Sequence, residues 1–109
     1  MTYDVIVTEQ ADADLREIYE YITFELLSPD HASAQLDRLE NAIVALEQFP
    51  DKHRLYEVGA WRDRGLHLMP VDNFLVFYVV DREKGVVTVI RVMYSGRDTD
   101  RELRENTRI

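Results

Sequence analysis

No cysteine occurs among the 109 residues, which excludes disulfide scaffolds, thiolate metal sites and cysteine nucleophiles. Glycine is scarce and scattered, at Gly59, Gly65, Gly85 and Gly96, so no glycine-rich phosphate cradle can form. The histidines, His31, His53 and His67, fall in different predicted elements without the spacing of a metal pair, and neither a metal nor any other cofactor is expected. No histidine stands at a suggestive distance from the serines and threonines of the predicted sheet, which leaves a hydrolase triad unsupported. The longest apolar run, Phe74 to Val80, is seven residues, far below the ~20 that cross a bilayer. Met1-Thr2-Tyr3-Asp4-Val5 has neither the basic region nor the apolar stretch of a secretory leader. A cytoplasmic protein with no membrane partner is the expectation.

Positive charge is also in short supply. Thirteen lysines and arginines face 21 acids, for a net charge of -8, which argues against nucleic-acid binding held by bulk electrostatics. The imbalance is uneven. Residues 1–50 hold eleven acids and only Arg16 and Arg38 as bases, whereas residues 51–109 hold ten acids and eleven bases. An anionic partner would therefore meet the second half.

What is present is a strong alternation of periods. Tyr3 to Val7 reads as a short strand. Thr8 suits a helix N-cap with Glu9 in the first turn, where a carboxylate meets the positive end of the helix dipole. Ala11, Leu15, Ile18, Ile22 and Leu26 then recur at helical spacing as one apolar face expected to lie in the core. Ser28-Pro29-Asp30 predicts a second helix, with serine as cap and proline at the first position. Its stripe is Ala32, Leu36, Leu39, Ile43 and Leu46, and Pro50 closes it after Phe49. Residues 51–63 show no period and are read as an irregular linker, with Trp61 pinning it to the domain and His31 left on the surface.

From Gly65 the period becomes two. Leu66, Leu68 and Pro70 alternate with His67, Met69 and Val71, Asp72-Asn73 makes a turn, and Phe74 to Val80 has the apolar character of a central strand. Asp81 to Gly85 forms a hairpin connection, Val86 to Tyr94 the last strand, and Asp100 to Arg108 one short, frayed helix. The fold class is thus α+β: an N-terminal strand and a helical hairpin on one face of a small, mainly antiparallel sheet, β-α-α-β-β-β. Residues 1–109 are expected to form a single domain, and the uncovered face of the sheet is expected to carry the function.

The chemistry left after these exclusions lies in Arg62, Arg64, Arg91, Tyr94 and Arg97. Guanidinium groups clamp phosphate oxygens and a phenol can exchange protons, so such a set suits metal-independent cleavage of RNA. Strand geometry places Arg91 and Met93 on one side and Val92 and Tyr94 on the other, so Arg91 and Tyr94 share a face only if a bulge intervenes.

The chain resembles the RelE/ParE superfamily of toxins from type II toxin–antitoxin modules. The resemblance rests on the element order, on Ala11-Asp12-Ala13-Asp14-Leu15 and Phe49-Pro50 bounding the hairpin, on Asn73 to Tyr78, and on Val89 to Asp98. It implies a cognate antitoxin as partner and one of two activities. The first is ribosome-dependent mRNA cleavage, an endoribonuclease acting on mRNA at the ribosome, with Tyr94, Arg91 and Arg97 as catalytic residues and Arg62, Arg64 and His67 binding substrate. The alternative is non-catalytic inhibition of DNA gyrase, as in ParE-like members, or an inactive antitoxin-binding relic. Leu75 stands where ribonuclease members carry a central-strand arginine, and Met93 where related members carry a histidine. The arginine–tyrosine chemistry puts the ribonuclease first.

Overall fold

Local signals set most element boundaries in the computed structural model, which describes residues 2–108. Strand β1 spans Asp4–Val7, helix α1 Glu9–Glu20, α2 Pro29–Val44, α3 Gly59–Asp63, β2 His67–Val71, β3 Phe74–Asp81, β4 Val86–Tyr94 and α4 Thr99–Glu105. Thr8 caps α1 as its position predicts, its hydroxyl accepting from the Ala11 N–H at 3.1 Å. Pro29 opens α2, but Ser28 does not cap it; the serine hydroxyl is engaged with His31 Nδ1 at 2.6 Å instead.

The stripe predicted for the first helix is only half buried. Ala11 and Leu15 are in the core, whereas Leu26 is 56% exposed. The cause is a π-turn at Tyr21–Glu25, closed by the Leu26 N–H on the Tyr21 carbonyl at 3.2 Å. One extra residue per turn shifts everything beyond it by about 100° around the axis. The chain then passes through Leu27 with φ 51° before α2 begins. Within α2, Ala32, Leu39 and Ile43 are buried as expected, and so is Gln35. Gln35 donates to Asp72 at 3.0 Å beside Arg38, whose Nε reaches the same carboxylate at 2.7 Å. These hydrogen bonds tie α2 to the β2–β3 turn and hold the Asp72 carboxyl below its ordinary pKa.

The sheet has the order β1–β4–β3–β2. β1 joins it parallel to β4, Asp4 opposite Val86 and Val7 opposite Val89; the other pairs are antiparallel. A bulge interrupts the β3–β4 ladder: Phe77 pairs with Arg91 and Tyr78 with Val89, leaving Ile90 as the extra residue. The side-chain phase of β4 therefore changes midway. Val87, Val89 and Val92 pack with Ala11, Leu15, Leu39 and Ile43, while Ile90 and Met93 turn to the other face.

That other face is not free. It forms a second core in which Ile90, Met93, Phe77, Leu66 and Leu68 pack against Trp61 of α3 and Leu103 of α4. The segment 51–63, expected to be irregular, contains a 3-10 turn at Pro50–Lys52 as well as α3. Five residues are too few to display a helical period. Trp61 does pin this segment, its indole N–H donating to the Leu103 carbonyl at 3.0 Å. Trp61→Phe keeps most of the apolar contact and removes that bond. Its expected cost is about 1 kcal/mol, with amide exchange accelerated in residues 99–105 more than in α1.

Candidate functional site

Where β1 ends at Val7, the edge of β4 beyond Val89 loses its strand partner. The start of α1 replaces it. The Thr8 N–H donates to the Val89 carbonyl at 3.1 Å and the Thr8 hydroxyl to the Ile90 carbonyl at 3.3 Å. Nearly two turns further along α1, the Asp14 carboxylate accepts the Val92 N–H at 2.9 Å and two bonds from Arg91, Nε at 2.7 Å and Nη2 at 3.0 Å. Arg91 Nη1 donates to the Asn106 carbonyl and the Thr107 hydroxyl, at 3.2 and 3.1 Å. All three guanidinium nitrogens are thus engaged, in a fork on a carboxylate and on the tail that follows α4. Both side chains are about 95% buried, at 5% and 6% exposure.

Tyr94 and Arg97 lie at the exposed end of the same strand. Ser95 N–H donates to the Asn73 carbonyl at 2.8 Å, and Arg97 N–H to the Tyr94 carbonyl at 3.0 Å, which folds the chain back. Tyr94 is 56% exposed and meets Phe74 edge-on, ring centroids 6.1 Å apart. Gly96 sits against the Tyr94 ring, where a Cβ would overlap it. Arg97 is half-exposed and paired with Glu102. Beside them opens a groove of about 520 Å³. Ile18, Ile22 and Leu26 form one wall, Phe74, Met93 and Tyr94 the other, and Glu17 and Arg97 stand at its margin.

The remaining candidates are elsewhere. The ladder pairs are regular from Arg91 to Tyr94, because the bulge lies before Arg91, so these two side chains do not share a face. Arg62 is exposed beside Asp63, and the Arg64 guanidinium stacks on Trp61 at 4.4 Å. Arg64 neighbours Val79 to Glu83 and Thr88, the opposite end of the β3–β4 ladder from the Phe74–Tyr94 pair. At ~3.4 Å per residue that end is on the order of 17 Å away. His67 is buried, its ring stacked on Tyr78 at 5.1 Å and its Nδ1 on the His53 carbonyl at 2.8 Å. Tyr94 and Arg97 line this groove; Arg91, held by Asp14, and Arg97 both line a second cleft of about 620 Å³ beside Arg16 and Arg108; Arg62, Arg64 and His67 line neither.

Asp14 was legible only as one more helix acid. The signal that distinguishes it is its position, three residues after Ala11 and one before Leu15, inside the apolar arc. Among the described residues no group of three His, Asp or Glu could hold a metal ion, and no helix is long and apolar enough to cross a membrane.

Burial and the neighbouring positive charges of Lys52 and His67 lower the pKa of His53 from its ordinary 6.5. Burial and the charge of Asp51 raise that of Tyr78, whose hydroxyl donates to the Pro50 carbonyl. The unfolded chain therefore binds a proton at His53 more readily than the native one, so the native state is disfavoured as pH falls through about 6.5. Stability rises with pH across that window and levels off above it. His53→Gln flattens this part of a plot of denaturation midpoint against pH.

A family model described as the ParE toxin of the type II toxin–antitoxin system parDE matches residues 5–99. No curated protein matches the sequence. Among solved structures, the chromosomal ParDE system of P. aeruginosa aligns over 85% of this chain and 96% of its own, with a TM-score of 0.70 and 17% identity. A mutant of the E. coli toxin RelE in the free state covers 96% of this chain and 94% of its own at a TM-score of 0.64 and 18% identity. The RelBE2 toxin–antitoxin complex of Mycobacterium tuberculosis covers 86% and 99%, with a TM-score of 0.61 and 20% identity. At these identities the structural likeness is one of fold.

Proposed function

Because the chain belongs to the ParE toxin family of type II toxin–antitoxin modules, we propose that it is held by a cognate antitoxin and, once free, arrests growth as a non-catalytic binder of DNA gyrase. The antitoxin follows from the company of the fold: similar structures include the ParDE system and the RelBE2 complex. The choice of gyrase over mRNA is carried by one observation, the occupancy of Arg91 by Asp14. Cleavage of RNA without metal needs guanidinium groups free to meet the phosphate and a proton donor or acceptor beside them. At the accessible edge Tyr94 has Phe74 and Met93 as neighbours, and Arg97, which lines the groove with it, is paired with Glu102. An exposed tyrosine and arginine beside an apolar groove are instead the residue types that anchor protein–protein interfaces. The action would be in the cytoplasm, where gyrase works.

The second reading, ribosome-dependent mRNA cleavage, retains support from the adjacency of Tyr94 and Arg97 at the end of β4. Two assays on the purified toxin separate them. The expected result is blocked supercoiling by gyrase, with mRNA left intact on programmed ribosomes. Cuts at codon positions with supercoiling unaffected would reverse the assignment. Growth unaffected by expression without an antitoxin would leave an inactive, antitoxin-binding relic.

A further inference from the structure

The corner between α1 and α2 concentrates irregularities. Tyr21–Glu25 is a π-turn, a rare form that tends to occur at functional positions. Leu27 follows in the left-handed region at φ 51°, where a side chain is strained. Thr23 Oγ1 is, among the described residues, a buried side-chain oxygen with no hydrogen-bond partner. In a regular α-helix a threonine hydroxyl can back-bond to the carbonyl three or four residues earlier. Tyr21, Phe24, Leu26 and Leu27 are each more than half exposed. A strained turn, an orphaned hydroxyl and an unburied apolar cluster thus meet beside the groove that ends at Tyr94.

We propose that residues 21–28 are a docking switch for the antitoxin: an apolar segment flanked by lysine or arginine fills the groove, and the π-turn tightens by one residue into α register. The proposal rests on the reading of the partner as an antitoxin. The chemistry of the occupant follows from the surface. Glu17, Glu20 and Glu25 have no ion-pair partner among the described residues, whereas the two bases of the helical hairpin, Arg16 and Arg38, are taken by Asp12 and Asp72. The partner must supply both the cations and the apolar side chains. Tightening returns Thr23 to a position from which its hydroxyl can back-bond, relieves Leu27, and rotates Phe24 and its neighbours relative to α1. The free protein keeps the wider turn because nothing covers those side chains. A partner that binds the tightened form better shifts the equilibrium toward it.

The test is calorimetric titration of the purified toxin with the antitoxin encoded by the reading frame adjacent to its own, with the Leu27 Cα chemical shift followed by NMR. Phe24→Ser and the charge reversal Glu17→Lys/Glu25→Lys are each expected to weaken binding roughly 30-fold or more. Leu27→Gly, which makes the left-handed conformation comfortable, is expected to leave the free protein folded and lower affinity about fivefold. The Leu27 shift is expected to move from left-handed to helical on binding. Unchanged affinity in the first two variants overturns the surface, and an unmoved Leu27 shift overturns the switch. If gyrase affinity falls in Phe24→Ser while antitoxin affinity holds, the corner belongs to the target and the proposal is wrong. Absence of any binding by the wild-type toxin overturns the antitoxin reading itself, an outcome distinct from the others.

Discussion

Asp14→Ala is expected to destabilise the protein by about 3–5 kcal/mol in urea denaturation, the largest effect of any single substitution considered. Removing one partner of a buried ion pair leaves the other charge uncompensated, and that loss exceeds the worth of the pair itself. Here the carboxylate also accepts the Val92 N–H, so an amide of the strand edge would be orphaned as well. Asp14→Asn keeps one acceptor oxygen and should fall between. Asp14→Leu combined with Arg91→Met removes both charges together, and should recover much of what Asp14→Ala loses. If Asp14→Ala denatures at the wild-type midpoint, the pair is not the element that closes the β4 edge.

Tyr94→Ala is expected to lower inhibitory potency by roughly 30-fold, the effect of about 2 kcal/mol at an interface anchor. More than half of this ring is exposed, so stability should change little. The informative comparison is with Tyr94→Phe. If the ring contributes contact area, Phe retains potency to within a few-fold. If the phenol transfers a proton to or from RNA, Phe is as damaging as Ala. Potency is read as the toxin concentration that halves supercoiling by gyrase, and in parallel as growth arrest on expression without antitoxin. Parallel loss in Phe and Ala, accompanied by loss of mRNA cleavage, would restore the ribonuclease.

The sequence carried the architecture where short signals coincide with it. Thr8 and Pro29 mark helix starts because their chemistry acts over a few residues, and the run from Phe74 to Val80 reads as a central strand because it is apolar throughout. The one-residue features escaped. Neither the bulge at Ile90 nor the π-turn at Tyr21–Glu25 changes composition; each changes phase, and phase is visible only against a partner strand or helix. The second core was hidden for a related reason: α3 and α4 are short, and Trp61 meets Leu103 across 42 positions of chain. Arg91 was legible as a consequential residue, but its carboxylate partner lies 77 positions earlier. Local periodicity sets Asp14 beside Ala11 and Leu15 on the apolar arc of α1, but only the fold shows the arginine and the strand amide that it meets there.

The parallel pairing of β1 with β4 also bears on when the toxin comes into being. Val7 waits for Val89, and the Thr8 hydroxyl for Ile90, 82 positions later. Contacts this distant in sequence form slowly and late. During synthesis β1 has no strand partner until β4 has emerged, so the sheet cannot close before residues 86–89 are made. A message cut short before the codon for Val86 yields an unpaired strand and an incomplete core, not a smaller poison.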